Sequence, residues 1–136
     1  MGRGAQRRRF VADAIARQHE HSLAWLEAYT NVPYPFDSFD IVLIPSFQFG
    51  GMEHPGATYY DADLLLLEAS ATQLQELNRA NVIAHETAHM WFGNLVTMTW
   101  FDDVWMKEVF ASAMAAKIVN PSYPDMDHDL RFLVQH

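Results

Sequence analysis

Residues 85–111 read HETAHMWFGNLVTMTWFDDVWMKEVFA, and this stretch decides how the rest of the chain is organised. His85 and His89 are four residues apart, Glu86 follows the first histidine, and Glu108 lies on the next helical segment. On a helix, residues four apart differ by about 40° around the axis and one turn along it, so both imidazoles reach one point in space. Glu86 does not share that direction. It is placed to reach a water at that point, which suits a general base.

The helix under the two histidines starts upstream. Thr72 followed by Gln75 is a capping box, so a helix is expected from about Gln73 to Phe92, ending at Gly93-Asn94. Asp102 or Asp103 can cap the next helix, which runs to Val119 and stops at Asn120-Pro121. The turn between 94 and 101 folds this second helix back antiparallel to the first, bringing Glu108 towards the histidines. Three protein ligands and one open position are what a catalytic zinc site needs, and His, His and Glu is one such set. Chance gives H-E-x-x-H only about 0.02 times in a chain of this length and composition, so the bare motif is suggestive. The alternative is a helix with ordinary histidines, a surface Glu86 and an exposed Glu108.

Outward from that core, apolar residues recur at helical spacing from about Arg8 to Tyr29, and Thr30 to Pro35 stops that helix. Phe39–Ile44 is an apolar, β-branched run ended by Pro45, a strand. Gly50-Gly51 marks a bulge or tight approach. Residues 57–67 carry one or two further strand segments, with Asp61 and Asp63 near the bend. A last helix begins near Asp127. Helix, strands and two helices in 136 residues make a single α+β unit with a short sheet.

The net charge of −8 argues against nucleic acid as a partner. With no cysteine, a metal site must use His, Asp or Glu. Arg7-Arg8-Arg9 resembles a twin-arginine signal, but Asp13 and Arg17 interrupt the segment after it, so no signal peptide is read here. No run reaches the roughly 18 apolar residues of a membrane span. Nothing in the composition fixes a compartment.

Residues 85–111 closely resemble the zinc aminopeptidases of the aminopeptidase N and leukotriene hydrolase type, whose pattern is H-E-x-x-H-x-W-F-G-N-x-V-T-x-x-W-W-x-D-x-W-L-x-E-G-F-A. Upstream, Gly51-Met52-Glu53-His54, with Gly50 before it, is similar to that family's G-x-M-E-N motif. The resemblance extends over about residues 10–133. It implies a thermolysin-like catalytic domain: a short mixed sheet followed by two antiparallel zinc-binding helices. It also implies a Zn2+ cofactor on His85, His89 and Glu108, and Glu86 as base. Glu53 would bind the free α-amine of a peptide substrate. The backbone of Gly50, Gly51 and Met52 would pair with the peptide as an added strand. Taken alone, Glu53 reads as a solvated loop acid.

Three departures from the family bear on the site. His54 stands in place of Asn, Val109 in place of the Gly after the glutamate ligand, and Lys107 in place of Asn before it. The family's N-terminal β domain, C-terminal helical domain and downstream oxyanion-binding tyrosine have no counterpart here, and Tyr123 is too early and in a turn. Residues 1–136 therefore read as a partial catalytic domain. Two rivals stand beside the aminopeptidase. One is an inactive zinc-binding fragment or interaction module, in which some of Trp91, Trp100, Trp105 and Phe110, ordinarily core, form an exposed self-associating patch. The other is a zinc endopeptidase needing no amine anchor. Asp103 is a candidate to orient a ligand histidine or to cap its helix.

Overall fold

The computed structural model describes residues 3–126 and residue 128, with side chains from residue 11. The first helix, α1, spans Arg3–Thr30 and buries a stripe of Ile15, His19, Ser22 and Leu26. This i, i+4, i+7, i+11 spacing is one face of a helix. The hydrophobic pattern overlooks His19, because a histidine does not read as core. It is buried by pairing both ring nitrogens: Nδ1 donates to the Ile15 carbonyl at 2.8 Å, and Nε2 accepts from the Tyr60 hydroxyl at 2.9 Å. Trp25 and Tyr29 stack on each other at the surface side, with Tyr29 largely exposed.

A three-stranded sheet follows: β1 (Asp40–Ile44), β2 (Gly51–Met52) and β3 (Ala57–Asp61), in the order β1-β3-β2. β1 pairs parallel with β3 and β2 antiparallel, so the sheet is mixed as expected. Of the one or two strand segments expected within residues 57–67 one forms, β3, and beyond residue 61 the chain makes a helical turn, α2 (Ala62–Leu65). Asp61 caps it by accepting from the Asp63 amide at 2.8 Å. An Asp at that position favours a helix start over strand continuation.

Thr72 and Gln75 form the capping box of α3 (Gln73–Ala88). The helix stops four residues before the expected Phe92, so the H-E-x-x-H lies at its end and not in its middle, with His89 as C-cap. The chain then tightens into Met90-to-Thr87 and Trp91-to-Ala88 bonds and widens into Asn94-to-His89 and Leu95-to-Met90 bonds. His89 keeps right-handed helical dihedrals, so its spacing from His85 survives the ending. A 3-10 turn (Phe101–Asp103) leads into α4 (Val104–Val119). Asp103 occupies the N-cap position without a side-chain cap bond, contrary to the capping expected of it. The helix expected near Asp127 falls outside the described residues.

The α3 and α4 helices pack through small residues. Ala80, Ala84 and Ala88 on one and Ala111 and Ala115 on the other are buried with Leu77, Met114, Ile118 and Leu26. Alanine every fourth residue lets two backbones approach closely along one ridge. Contacts run in opposite senses, Gly93 to Lys107, His89 to Glu108 and His85 to Ser112, so the helices are antiparallel. Trp91 is core, whereas Trp100, Phe101, Trp105 and Phe110 are exposed, Trp100 at 66%. Of the four aromatics that ordinarily read as core, only Trp91 is buried.

The buried His19 makes stability depend on pH. Burial holds its pKa down at about 4, with the Ile15 hydrogen bond opposing, against 6.5 when unfolded. Between those values the unfolded chain binds the extra proton, so stability is full above about 6.5 and is lost as pH falls towards 4. In metal-free protein, denaturant titration should show roughly 3 kcal/mol lost from this group over that interval. His19→Gln should flatten the profile by that amount; an unchanged slope removes His19 as the cause.

Candidate metal centre

The close approach of α3 and α4 sets three donors against one another. His85 Nε2 lies 3.1 Å from His89 Nε2, and Glu108 Oε2 lies 3.2 Å and 3.4 Å from the two. Each imidazole is oriented from its other nitrogen. His89 Nδ1 donates to the Phe92 carbonyl at 3.0 Å, and His85 Nδ1 faces the Ser112 hydroxyl at 3.3 Å. With the proton on Nδ1, both Nε2 lone pairs face Glu108, as metal-binding histidines require. Asp103 takes neither orienting role. The Phe92 carbonyl is free to do so because α3 has already unwound there.

Burial lowers the pKa of His85 first, and the charge of His89 adds to it, while Glu108 opposes both. Neutral imidazoles are the form that ligates a metal. Among the described residues, His85, His89 and Glu108 form one group able to hold a metal ion, and Glu53, Glu86 and His89 form a second, overlapping one.

Glu86 is 5% exposed, and its pKa is pushed up to about 8, by burial first and then by the carboxylates of Glu53 and Glu108, with Lys107 opposing. Its side chain lies against β2. A Cβ on Gly51 would stand 2.5 Å from both Cδ and Oε1 of Glu86. Gly51 is thus a tight approach, one of the two readings of Gly50-Gly51, and the carboxylate is what approaches. Gly50 precedes the strand, its carbonyl accepting from the Asp61 amide at 3.1 Å. Met52 pairs with Tyr59, and among the described residues β2 is one of the two edge strands of the sheet.

Glu53 follows β2 into the same site. Asn94 Nδ2 donates to the Glu53 carbonyl at 2.7 Å, tying the turn after His89 to the segment after β2. Asn94 is legible in sequence only as a helix stop, yet it positions Glu53. Burial pushes the Glu53 carboxyl up, but hydrogen bonds from Lys107 and the main chain and the charges of His89 and Lys107 leave it below its usual value. The Lys107 ammonium pairs with Glu53 Oε1 and stands 3.6 Å from Glu108 Oε1. His54 packs edge-on against Tyr59, ring centroids 4.9 Å apart.

Tyr123 is elsewhere. Its hydroxyl is raised by burial and then by Glu76, with Arg79 opposing, which places it by the first half of α3. It lines a cleft of about 270 Å³ with Arg17, Gln18, His21 and Ile118, a space that includes none of the metal-site residues.

A buried acid beside two helix-borne imidazoles and a carboxylate from the next helix is a donor arrangement that could hold a metal ion. Residues 15–136 match the model of the peptidase family M1 domain, and the chain belongs to that family of metallopeptidases. It is 43% identical to endoplasmic reticulum aminopeptidase 2 of Homo sapiens over 82% of this chain and 12% of that protein. It is 39% identical to leucyl aminopeptidase of Saccharolobus solfataricus over 76% of this chain and 13% of that protein. Against puromycin-sensitive aminopeptidase of Caenorhabditis elegans it is 36% identical over 96% of this chain and 15% of that protein. The chain thus spans only about one seventh of the length of these relatives.

The contact between Gly51 and Glu86 is directly testable. Gly51→Ala should destabilise the fold by about 1–3 kcal/mol through overpacking. In a Glu86→Ala background most of that cost should vanish, because the atoms in the way are gone. Equal costs in both backgrounds, by urea denaturation, would show that Glu86 is not what forbids a side chain at 51.

Proposed function

We propose that this chain is part of the catalytic domain of a zinc aminopeptidase that removes N-terminal residues from peptides, with His85, His89 and Glu108 as metal ligands. The observation that carries this is the mutual spacing of the three donors, 3.1, 3.2 and 3.4 Å. Ligand atoms about 2.0–2.1 Å from a tetrahedral zinc stand roughly 3.3 Å from one another. The donor set therefore fits zinc without rearrangement. Zinc bound there supplies Lewis-acid chemistry, acidifying a water and polarising a carbonyl.

The chain's own residues supply the rest. Glu86 takes the proton of the attacking water and hands it to the departing amine. Gly51 leaves room for that carboxylate beside β2. The free edge of β2 offers the backbone of Gly50, Gly51 and Met52 to an extended peptide. Glu53, mostly buried and held by Asn94, takes the peptide's terminal ammonium. Such an anchor suits removal of terminal residues over internal cleavage. The names of the relatives, aminopeptidases all, support the same choice.

Three outcomes are expected of the protein that contains this stretch. Glu86→Gln should retain zinc by elemental analysis and lose about 10²–10⁴ in turnover, whereas Glu108→Ala should lose the zinc; equal zinc in wild type and Glu108→Ala would remove Glu108 from the site. A leucyl anilide should be cleaved and its N-acetyl form spared. Equal cleavage of both would replace the aminopeptidase with an endopeptidase.

A further inference from the structure

We propose that Lys107 is a built-in occupant of the amine-anchor position, so that a substrate's N-terminal ammonium binds Glu53 by displacing it. The inference rests on the reading of Glu53 as that anchor. The Lys107 ammonium pairs with Glu53 Oε1, and the two side chains are only 24% and 11% exposed. An alkylammonium on a partly desolvated carboxylate presents the same charge and hydrogen-bond donors as a peptide N-terminus. Both ions therefore compete for one carboxylate.

The surroundings hold Lys107 in place and also give it somewhere to go. Its stem passes over Gly93, where a Cβ would stand 3.3 Å from Lys107 Cδ and 3.5 Å from its Cβ. Glu53 is fixed from its main chain by Asn94. Glu108 Oε1, 3.6 Å from the ammonium, is a second carboxylate within reach once Glu53 is taken. Affinity for a free amine is then a difference between two ammonium ions on Glu53. Where the relatives resembled usually have an uncharged Asn, this chain has Lys107, so the competition comes with Lys107 itself.

The chain contains two lysines, Lys107 and the exposed Lys117, which makes the displacement measurable. Zinc-loaded protein is treated with acetic anhydride held far below the leucinamide concentration, so that the free amine is not used up, and the ratio of Lys107 to Lys117 acetylation is read by mass spectrometry. Leucinamide should raise that ratio several-fold, towards the value in Glu53→Gln, and N-acetylleucinamide should not. By calorimetry, Lys107→Met should bind leucinamide about tenfold more tightly, roughly 1.4 kcal/mol, while Lys107→Arg stays near wild type. The labelling needs no substitution at 107, so a misfolded variant does not blunt the test. If Glu53→Gln loses leucinamide binding but the ratio stays flat and Lys107→Met gains nothing, the displacement is wrong and the anchor stands. If Glu53→Gln binds leucinamide as well as wild type, or no variant binds it, the anchor reading fails and the proposal with it.

Discussion

The close packing of α3 on α4 is the constraint on which the rest depends. It is made by alanines, Ala80, Ala84 and Ala88 against Ala111 and Ala115, all buried in one cluster. A larger side chain at the fully buried Ala84, Ala88 or Ala111 would separate the helices. Glu108 Oε2 would then leave its positions 3.2 Å and 3.4 Å from the two imidazole nitrogens. The polar centre is thus set by an apolar contact. The same approach brings Lys107 over Gly93 and onto Glu53, and Ser112 behind His85. The site residues come from two helices and the segment after β2, and the seam is what sets those of α4 against the rest.

The second constraint is the fit of β2 against α3. Glu86 occupies the space a Cβ on Gly51 would take, so a strand with no side chain at that point is what allows a buried acid beside the imidazoles. Burial and two neighbouring carboxylates raise that acid to about 8, while Lys107 and the main chain hold Glu53 low. Two glutamates in one site are thereby driven in opposite directions by their surroundings.

Much of this is legible in the sequence because it is written in local periodicity. The capping box at Thr72, the strand at Asp40–Ile44 and the end of α4 at Val119 all follow from neighbouring residues. So does the approach of His85, His89 and Glu108, since i, i+4 spacing and a short turn leave few alternatives. The features that are not legible depend on distant partners. His19 is core only because Tyr60 pairs with it, and Asn94 positions Glu53 only because the chain unwinds after Ala88. Apolar content likewise makes Trp100, Trp105 and Phe110 look like core, whereas burial depends on what covers them, and here they are exposed. Within residues 57–67 the sequence leaves one strand or two open, and the cap by Asp61, which turns 62–65 into a helical turn, decides for one.

The central claim is that one zinc ion is held by two imidazoles from α3 and one carboxylate from α4. X-ray absorption at the zinc edge, on protein loaded with one equivalent, tests it most directly. The account predicts four light ligands at about 2.0–2.1 Å, with the multiple-scattering signature of two imidazoles. A shell of six oxygens, or a spectrum with one imidazole or none, would contradict it.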